Sequence, residues 1–174
     1  MPVPADDIDS IAAEIAPRMT SLQVIHLALV ASVTVFLVVM LAQGAAGPEG
    51  RGAFVPVALI CAAAGAAMSF VLPSIFRSAG LTAFRGKAEI PVEALLGPYS
   101  TGHIAGMALL ESAGFLACFA LSGGAGNVPR WFVAIPIGIL ALMLARFPRP
   151  RAVAEWIVST REALVAGEGD RPRG

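Results

Sequence analysis

The sequence predicts an all-α integral membrane protein: a four-helix transmembrane bundle with an amphipathic surface helix at each end. Three observations predict this fold class. Only 14% of the 174 residues are charged and 57% are hydrophobic, whereas about 25% of residues are charged in a soluble domain. Four apolar runs approach or exceed the roughly 20 residues that an α-helix needs to cross a bilayer. The charged residues gather at the two ends of the chain and between the second and third runs.

Residues 1–21 predict a short amphipathic helix rather than a signal peptide, because the segment is acidic and lacks a basic start. Its apolar side chains recur at helical spacing and form a stripe opposite the acids: Ile8, Ile11, Ile15 and Met19. Pro17 is expected to end or kink this helix. We expect the helix to lie at the membrane surface, and a helix that binds a partner is the alternative.

The four apolar runs are the predicted membrane spans of a transmembrane domain that covers residues 22–147. The spans are residues 22–42, 54–76, 102–122 and 131–147. The centre of the second span, residues 62–67, consists of Ala and Gly, and small residues let helix backbones approach closely in lipid. This helix is therefore expected at the centre of the bundle or at an oligomer contact. Pro73 and Pro136 predict kinks in the second and fourth spans.

Three polar segments connect the spans: residues 43–53, 77–101 and 123–130. Within the longest of them, residues 92–97 lie between two prolines and predict a short interfacial half-helix. Residues 148–174 predict the second amphipathic surface helix, which ends near Gly167 and is followed by a disordered tail. Its apolar stripe consists of Val153, Trp156, Ile157, Thr160 and Leu164.

The distribution of cations predicts the orientation. Four spans place both termini and the segment 77–101 on one side of the membrane. That side holds ten of the 12 Lys and Arg residues, with Arg146 counted there because its side chain is expected to snorkel toward the tail. The opposite side holds Arg51 and Arg130. Because cytoplasmic loops carry an excess of Lys and Arg, both termini are predicted to be cytoplasmic.

Glu111, in the middle of the third span, is the main candidate site. A charge that faces lipid at this depth costs about 2.5–3.5 kcal/mol on insertion scales. The carboxyl group should therefore be paired, protonated, or turned toward protein or water. Such an acid can load and release a proton or bind a cation; a neutral Glu that only fixes helix packing is the alternative. Ser32 and Thr34 in the first span are possible hydrogen-bond partners, and Ser112 is adjacent in sequence.

Two histidines lie near the predicted cytoplasmic ends of their spans, His26 in the first and His103 in the third. We expect both to be solvated at the interface. His103 precedes Glu111 by eight residues, about 12 Å along a helix axis, so the two cannot touch within one helix. A haem held by both histidines has no further support in the sequence. No cofactor or metal is predicted, since the sequence has no C-x-x-C motif and no His/Cys cluster.

The sequence does not indicate an enzyme. It contains no phosphate-binding glycine loop after a strand, no nucleophile elbow and no H-E-x-x-H motif. It also has no basic face with interleaved aromatic residues, so nucleic acid is not an expected partner.

The centre of the third span has a recognisable pattern: a Gly/Met/Ala-rich approach, an Ala-Leu-x-Glu segment and then small residues. The residues are Ile104, Gly106, Met107, Ala108, Leu109, Leu110, Glu111, Ser112 and Ala113. This pattern resembles the ion-binding helix of ATP synthase c-subunit proteolipids, and the resemblance implies that Glu111 occupies the ion-binding position. The whole chain is similar to small four-span bacterial membrane proteins with an Ala-Leu-Leu-Glu segment, which implies the inner membrane but no activity.

Two hypotheses for function remain. In the first, the chain is a small polytopic inner-membrane protein in which Glu111 binds a proton or cation, alone or within an oligomer. In the second, it is a structural or accessory subunit whose Ala/Gly faces dock a larger membrane complex, and Glu111 is a packing hydrogen bond. The expected partners are the lipid bilayer and either further copies of the chain or a larger complex.

Overall fold

The computed structural model describes residues 5–43, 55–87, 89–121 and 130–169. Of these described residues 93% are helical and none is in a strand, which confirms the all-α class. The helices are α1 (Ala5–Gln43), α2 (Val55–Leu81), α3 (Val92–Leu121), α4 (Ala134–Ala145) and α5 (Pro150–Gly169), with 3-10 helices at Thr82–Phe84 and Arg130–Val133. The loops predicted at 43–53 and 123–130, and the predicted disordered tail, lie almost entirely outside the described residues.

Within the described ranges, three helices are long and apolar enough to cross a membrane: Asp7–Gln43, Val55–Phe84 and Val92–Leu121. A fourth candidate exists if Arg130–Ala145 and Pro150–Val165, which are separated by a short break, count as one span. On its own α4 has 12 residues, about 18 Å of helix, against a hydrocarbon core of about 30 Å. Three or four such helices are typical of a multi-pass membrane protein.

Each long helix contains a proline and continues past it: Pro17 in α1, Pro73 in α2 and Pro98 in α3. Pro17 therefore does not end the N-terminal helix. A proline removes one backbone hydrogen bond from a helix, and packing of its neighbours can offset that loss. Around Pro17 this packing is strong, since Ile15 and Met19 are 0% and 2% exposed.

The polar segment 77–101 is more helical than the sequence predicted. Its first residues extend α2 to Leu81, and the predicted half-helix at 92–97 is the beginning of α3. The polar residues of this segment predicted a loop. Its apolar side chains, however, form a packed face on the end of α2 and the beginning of α3. Leu95, for example, is fully buried.

The chain divides into two compact units. We call the first the polar unit, which comprises Met1–Val24, Pro73–His103 and Pro148–Gly174. We call the second the apolar unit, which comprises Ile25–Leu72 and Ile104–Phe147. Within the described part of the apolar unit the only residues that carry a formal charge are Glu111, Arg130 and Arg146.

The apolar unit is built on a large cluster of buried side chains from all four of its helical segments. Its members are Val30, Val33, Leu37, Ala62, Met107, Leu110, Ala113, Ala117, Cys118, Ile139 and Met143. Helices α2 and α3 approach closely at Gly65, where an added Cβ would lie 2.8 Å from the Ala113 Cβ. The small residues at the centre of the second predicted span thus permit a tight helix contact.

The polar unit has a buried cluster of its own. It consists of Ile15, Met19, Ile90, Leu95, Val153, Ala154 and Ile157. Both amphipathic stripes that the sequence predicted contribute to this cluster, Ile15 and Met19 from α1 and Val153 and Ile157 from α5. The apolar side chains of each stripe therefore pack against apolar side chains of the same unit and are not left on an open surface.

Candidate functional site

Glu111 lies in α3, and its carboxyl group meets α1 within the apolar unit. The Ser32 hydroxyl oxygen is 2.6 Å from Glu111 Oε1. The same oxygen is 2.7 Å from the carbonyl oxygen of Leu29, one turn earlier in α1. Both are hydrogen-bonding distances. Ser32 therefore links the carboxyl group of one helix to the backbone of another.

Close packing of α1 on α3 brings the two side chains together. An added Cβ on Gly114 would lie 2.9 Å from Val33 Cγ1, so the glycine lets α1 approach. Next to this contact Phe36 and Phe115 meet edge to face, with ring centroids 5.1 Å apart. Ser32 contacts Glu111, Val33 contacts Gly114 and Phe36 contacts Phe115, so the residue numbers increase along both helices. Helices α1 and α3 therefore run parallel here.

The surroundings of Glu111 are apolar. Its α3 neighbours Met107 and Leu110 are 1% and 0% exposed, whereas Glu111 itself is only half-buried. No ion pair involves Glu111 within the described part of the chain. The carboxyl group thus has a hydroxyl partner, and part of the Glu111 residue remains exposed.

The Ser32 hydroxyl can occupy two hydrogen-bonding states. It has one proton to donate and lone pairs that accept, so it cannot donate to Leu29 and Glu111 at once. If Glu111 is neutral, its O–H donates to Ser32, which donates to the Leu29 carbonyl. If Glu111 is ionised, Ser32 donates to the carboxylate instead. A rotation of one hydroxyl therefore satisfies either protonation state.

The other two hydroxyls predicted to support Glu111 bond within their own helices. Thr34 Oγ1 donates to the Val30 carbonyl at 2.8 Å, and Ser112 Oγ donates to the Ala108 carbonyl at 2.9 Å. Ser32 and Thr34 are two residues apart, about 200° around a helix, so they face different sides of α1. Of the three hydroxyls predicted to support Glu111, Ser32 is the one that the structure brings to its carboxyl group.

The two histidines are buried, which corrects the expectation that they are solvated at an interface. His26 is 0% exposed in the apolar unit, where its ring hydrogen-bonds the Met143 backbone and meets Phe147 edge-on at 5.3 Å. His103 is 8% exposed in the polar unit and stacks on Tyr99, with ring centroids 6.0 Å apart. Aromatic packing explains the burial of both rings.

Arg146 makes a polar contact that the sequence did not predict. It was expected to snorkel toward the tail, but its Nη1 donates to the Ser69 carbonyl at 2.8 Å and to the Ser69 hydroxyl at 3.0 Å. The guanidinium also lies over the Phe70 ring, 3.8 Å from its centroid. Pro73 explains the contact: it has no N–H to donate to the carbonyl four residues earlier, so the Ser69 oxygen is available. That spacing was visible in the sequence.

No group of three His, Cys, Asp or Glu side chains within the described ranges could hold a metal ion. No family model matches the chain, and no curated protein or solved structure matches it.

Proposed function

We propose that the chain is a small multi-pass inner-membrane protein in which Glu111 reversibly binds a proton. The carrying observation is the 2.6 Å contact between Ser32 Oγ and Glu111 Oε1 in an apolar setting. Ser32 offers an acceptor to the neutral acid and a donor to the carboxylate, so neither state leaves the carboxyl without a partner.

The partial exposure of Glu111 supports exchange of the proton. A carboxyl group enclosed on all sides would have no route to a proton donor, whereas Glu111 is only half-buried and keeps part of its surface exposed on the apolar unit. In a membrane this surface would meet lipid, water that enters along the helix, or another copy of the chain. A proton is favoured over a metal cation as the ligand, because one carboxyl and one hydroxyl are too few oxygens for a cation cage.

The proposal includes a four-helix transmembrane bundle. Parallel contacts between α1 and α3 are accompanied by a contact between His26, in the middle of α1, and Met143, near the end of α4. Contacts of this kind fit an up-down-up-down order with four spans. The cation bias of the connecting segments then places both termini in the cytoplasm.

An accessory role in a larger membrane complex is the second candidate. One face of α2 carries the exposed small residues Ala63, Ala64 and Ala67, and faces of this type allow a further helix to pack closely in lipid. In that case the bond between Ser32 and Glu111 would fix the packing of α1 on α3 and would not change with pH.

Proton flux distinguishes the two candidates. The full chain would be reconstituted into vesicles that enclose a pH-sensitive dye, and the decay of an imposed pH gradient would be followed. We expect Glu111→Gln to abolish the protein-dependent part of the decay, because an amide cannot exchange a proton with the medium. Ser112→Ala is the matched control, since it removes a hydroxyl next to Glu111 that bonds only within α3.

If the wild type and the Glu111→Gln variant dissipate the gradient equally, the proton-handling role is wrong and the accessory role is favoured. Helicity and melting midpoint of each reconstituted variant verify that a loss of flux is not a loss of fold.

A further inference from the structure

Arg77, at the end of α2, lies in an aromatic frame inside the polar unit. Its guanidinium carbon is 4.6 Å from the centroid of the Tyr99 ring and 5.4 Å from that of the Trp156 ring. The two rings belong to α3 and α5 and are 5.2 Å apart. Three helices thus hold one cation in place. This cluster is independent of Glu111, which lies in the apolar unit.

The backbone of α3 makes room for the Arg77 stem. At Gly102 an added Cβ would lie 2.9 Å from Arg77 Cγ and 2.7 Å from the Pro73 carbonyl oxygen. The absence of a side chain there lets the stem pass along α3 and reach the rings. The position of the guanidinium is therefore fixed by backbone packing as well as by stacking.

Arg77 has no carboxylate partner among the described residues. The acids of the polar unit that form ion pairs do so with other arginines: Glu93 with Arg18, and Asp9 and Glu155 with Arg151. Arg77 Nε is buried and makes no hydrogen bond. The rings offset part of the cost of a sheltered cation, but they leave the buried Nε–H without an acceptor.

We propose that Arg77, framed by Tyr99 and Trp156, binds a phosphate oxyanion, and that its source is the headgroup of an anionic phospholipid. The planar guanidinium presents paired donors that match two phosphate oxygens. The two aromatic rings hold the guanidinium in one orientation before the phosphate binds, so little conformational entropy is lost on binding. Tyr and Trp are also the residues that favour the headgroup region of a bilayer.

Native mass spectrometry of the full chain, released from mild detergent, tests the site. Phosphatidylglycerol supplies the phosphate, and diacylglycerol with the same acyl chains lacks it. We expect one phosphatidylglycerol to be retained by the wild type and no diacylglycerol. Arg77→Gln should weaken retention about tenfold or more, since it removes charged hydrogen bonds.

Arg85→Gln is the matched control. It removes the same charge from an exposed arginine of the same unit and should bind as the wild type does. Arg77→Lys keeps the charge but not the planar fork; we expect intermediate affinity, and this variant carries the test if Arg77→Gln does not fold. Melting midpoints of all variants are compared without added lipid.

Addition of inorganic phosphate distinguishes the two sources of the oxyanion. Retention of the lipid in excess phosphate supports the headgroup, and its displacement by phosphate supports the same site with free phosphate as the ligand. Equal weakening by Arg77→Gln and Arg85→Gln, or retention of diacylglycerol as strong as that of phosphatidylglycerol, would overturn the proposal.

Discussion

The two units of the molecule accommodate charge in different ways. In the polar unit Arg18 and Arg151 pair with carboxylates at the surface, as Arg18 does with Glu93. In the apolar unit Glu111 and Arg146 each lie against a serine of another helix, Ser32 and Ser69. Where water is close, a partner of opposite charge suffices. Where water is farther away, a hydroxyl or a carbonyl oxygen hydrogen-bonds the charged group, so no second charge has to be desolvated.

The largest effect expected from this comparison is steric and lies in the apolar unit. Gly65→Leu should lower the free energy of unfolding by about 3 kcal/mol or more, because its Cβ alone would lie 2.8 Å from the Ala113 Cβ. The melting midpoint should fall accordingly. Gly138→Leu is the control, since no atom lies within 4 Å of a Cβ added there. Thermal unfolding followed by helicity measures both. Equal midpoints would show that tight contact of α2 with α3 does not hold the apolar unit together.

A smaller steric effect is expected in the polar unit. Gly102→Ala should cost about 1–3 kcal/mol, because its Cβ would lie 2.7 Å from the Pro73 carbonyl oxygen. Gly97→Ala, with open space around the added atom, should be neutral or slightly stabilising, because residue 97 lies within helix α3. The two melting midpoints check this. A neutral Gly102→Ala would mean that the path of the Arg77 stem is not confined.

The contact between Arg146 and Ser69 should contribute about 1–2 kcal/mol, a value typical of a hydrogen bond to a charged group that is partly exposed. Arg146→Met removes the donors and keeps much of the side-chain volume. In a Pro73→Ala background the loss should be smaller, because the new N–H of residue 73 can bond the Ser69 carbonyl. A double-mutant cycle measures the coupling. Losses of equal size in both backgrounds would show that Pro73 does not create the Arg146 site.

The smallest effect is expected at the ion pair between Arg18 and Glu93. Although its N–O distance is 2.6 Å, the two side chains are 53% and 48% exposed, and water and salt weaken such pairs. Arg18→Gln should leave the melting midpoint nearly unchanged, with any small difference lost at high salt. A large, salt-independent drop would contradict the view that charge pairing in the polar unit is a surface interaction.

Much of the fold was predictable because apolar runs of membrane length leave few alternatives to helices. The ends of the helices were not, since Pro17, Pro73 and Pro98 normally indicate helix ends. Each lies in a helix whose apolar side chains have partners distant in sequence. Those partners decide whether a helix continues, and one-dimensional periodicity does not contain them.

The candidate site was predictable in part. Glu111 stands out as the only acid in a long apolar run, and Ser32 was one of two hydroxyls in reach. The choice between Ser32 and Thr34 depends on which face of α1 meets α3, and Gly114 decides this through its contact with Val33. The Arg146 contact could have been found from the spacing of Ser69 and Pro73, because a proline exposes the carbonyl four residues before it.

The central claim is that Glu111 changes protonation state beside Ser32, and infrared difference spectroscopy of the full chain in lipid nanodiscs tests it most directly. On acidification the wild type should gain a carbonyl band of a protonated carboxylic acid that the Glu111→Gln variant lacks. Ser32→Ala should shift this band, because the neutral acid loses its hydrogen-bond acceptor, whereas Ser112→Ala should leave it in place. Identical spectra of the wild type and Glu111→Gln at every pH would contradict the account.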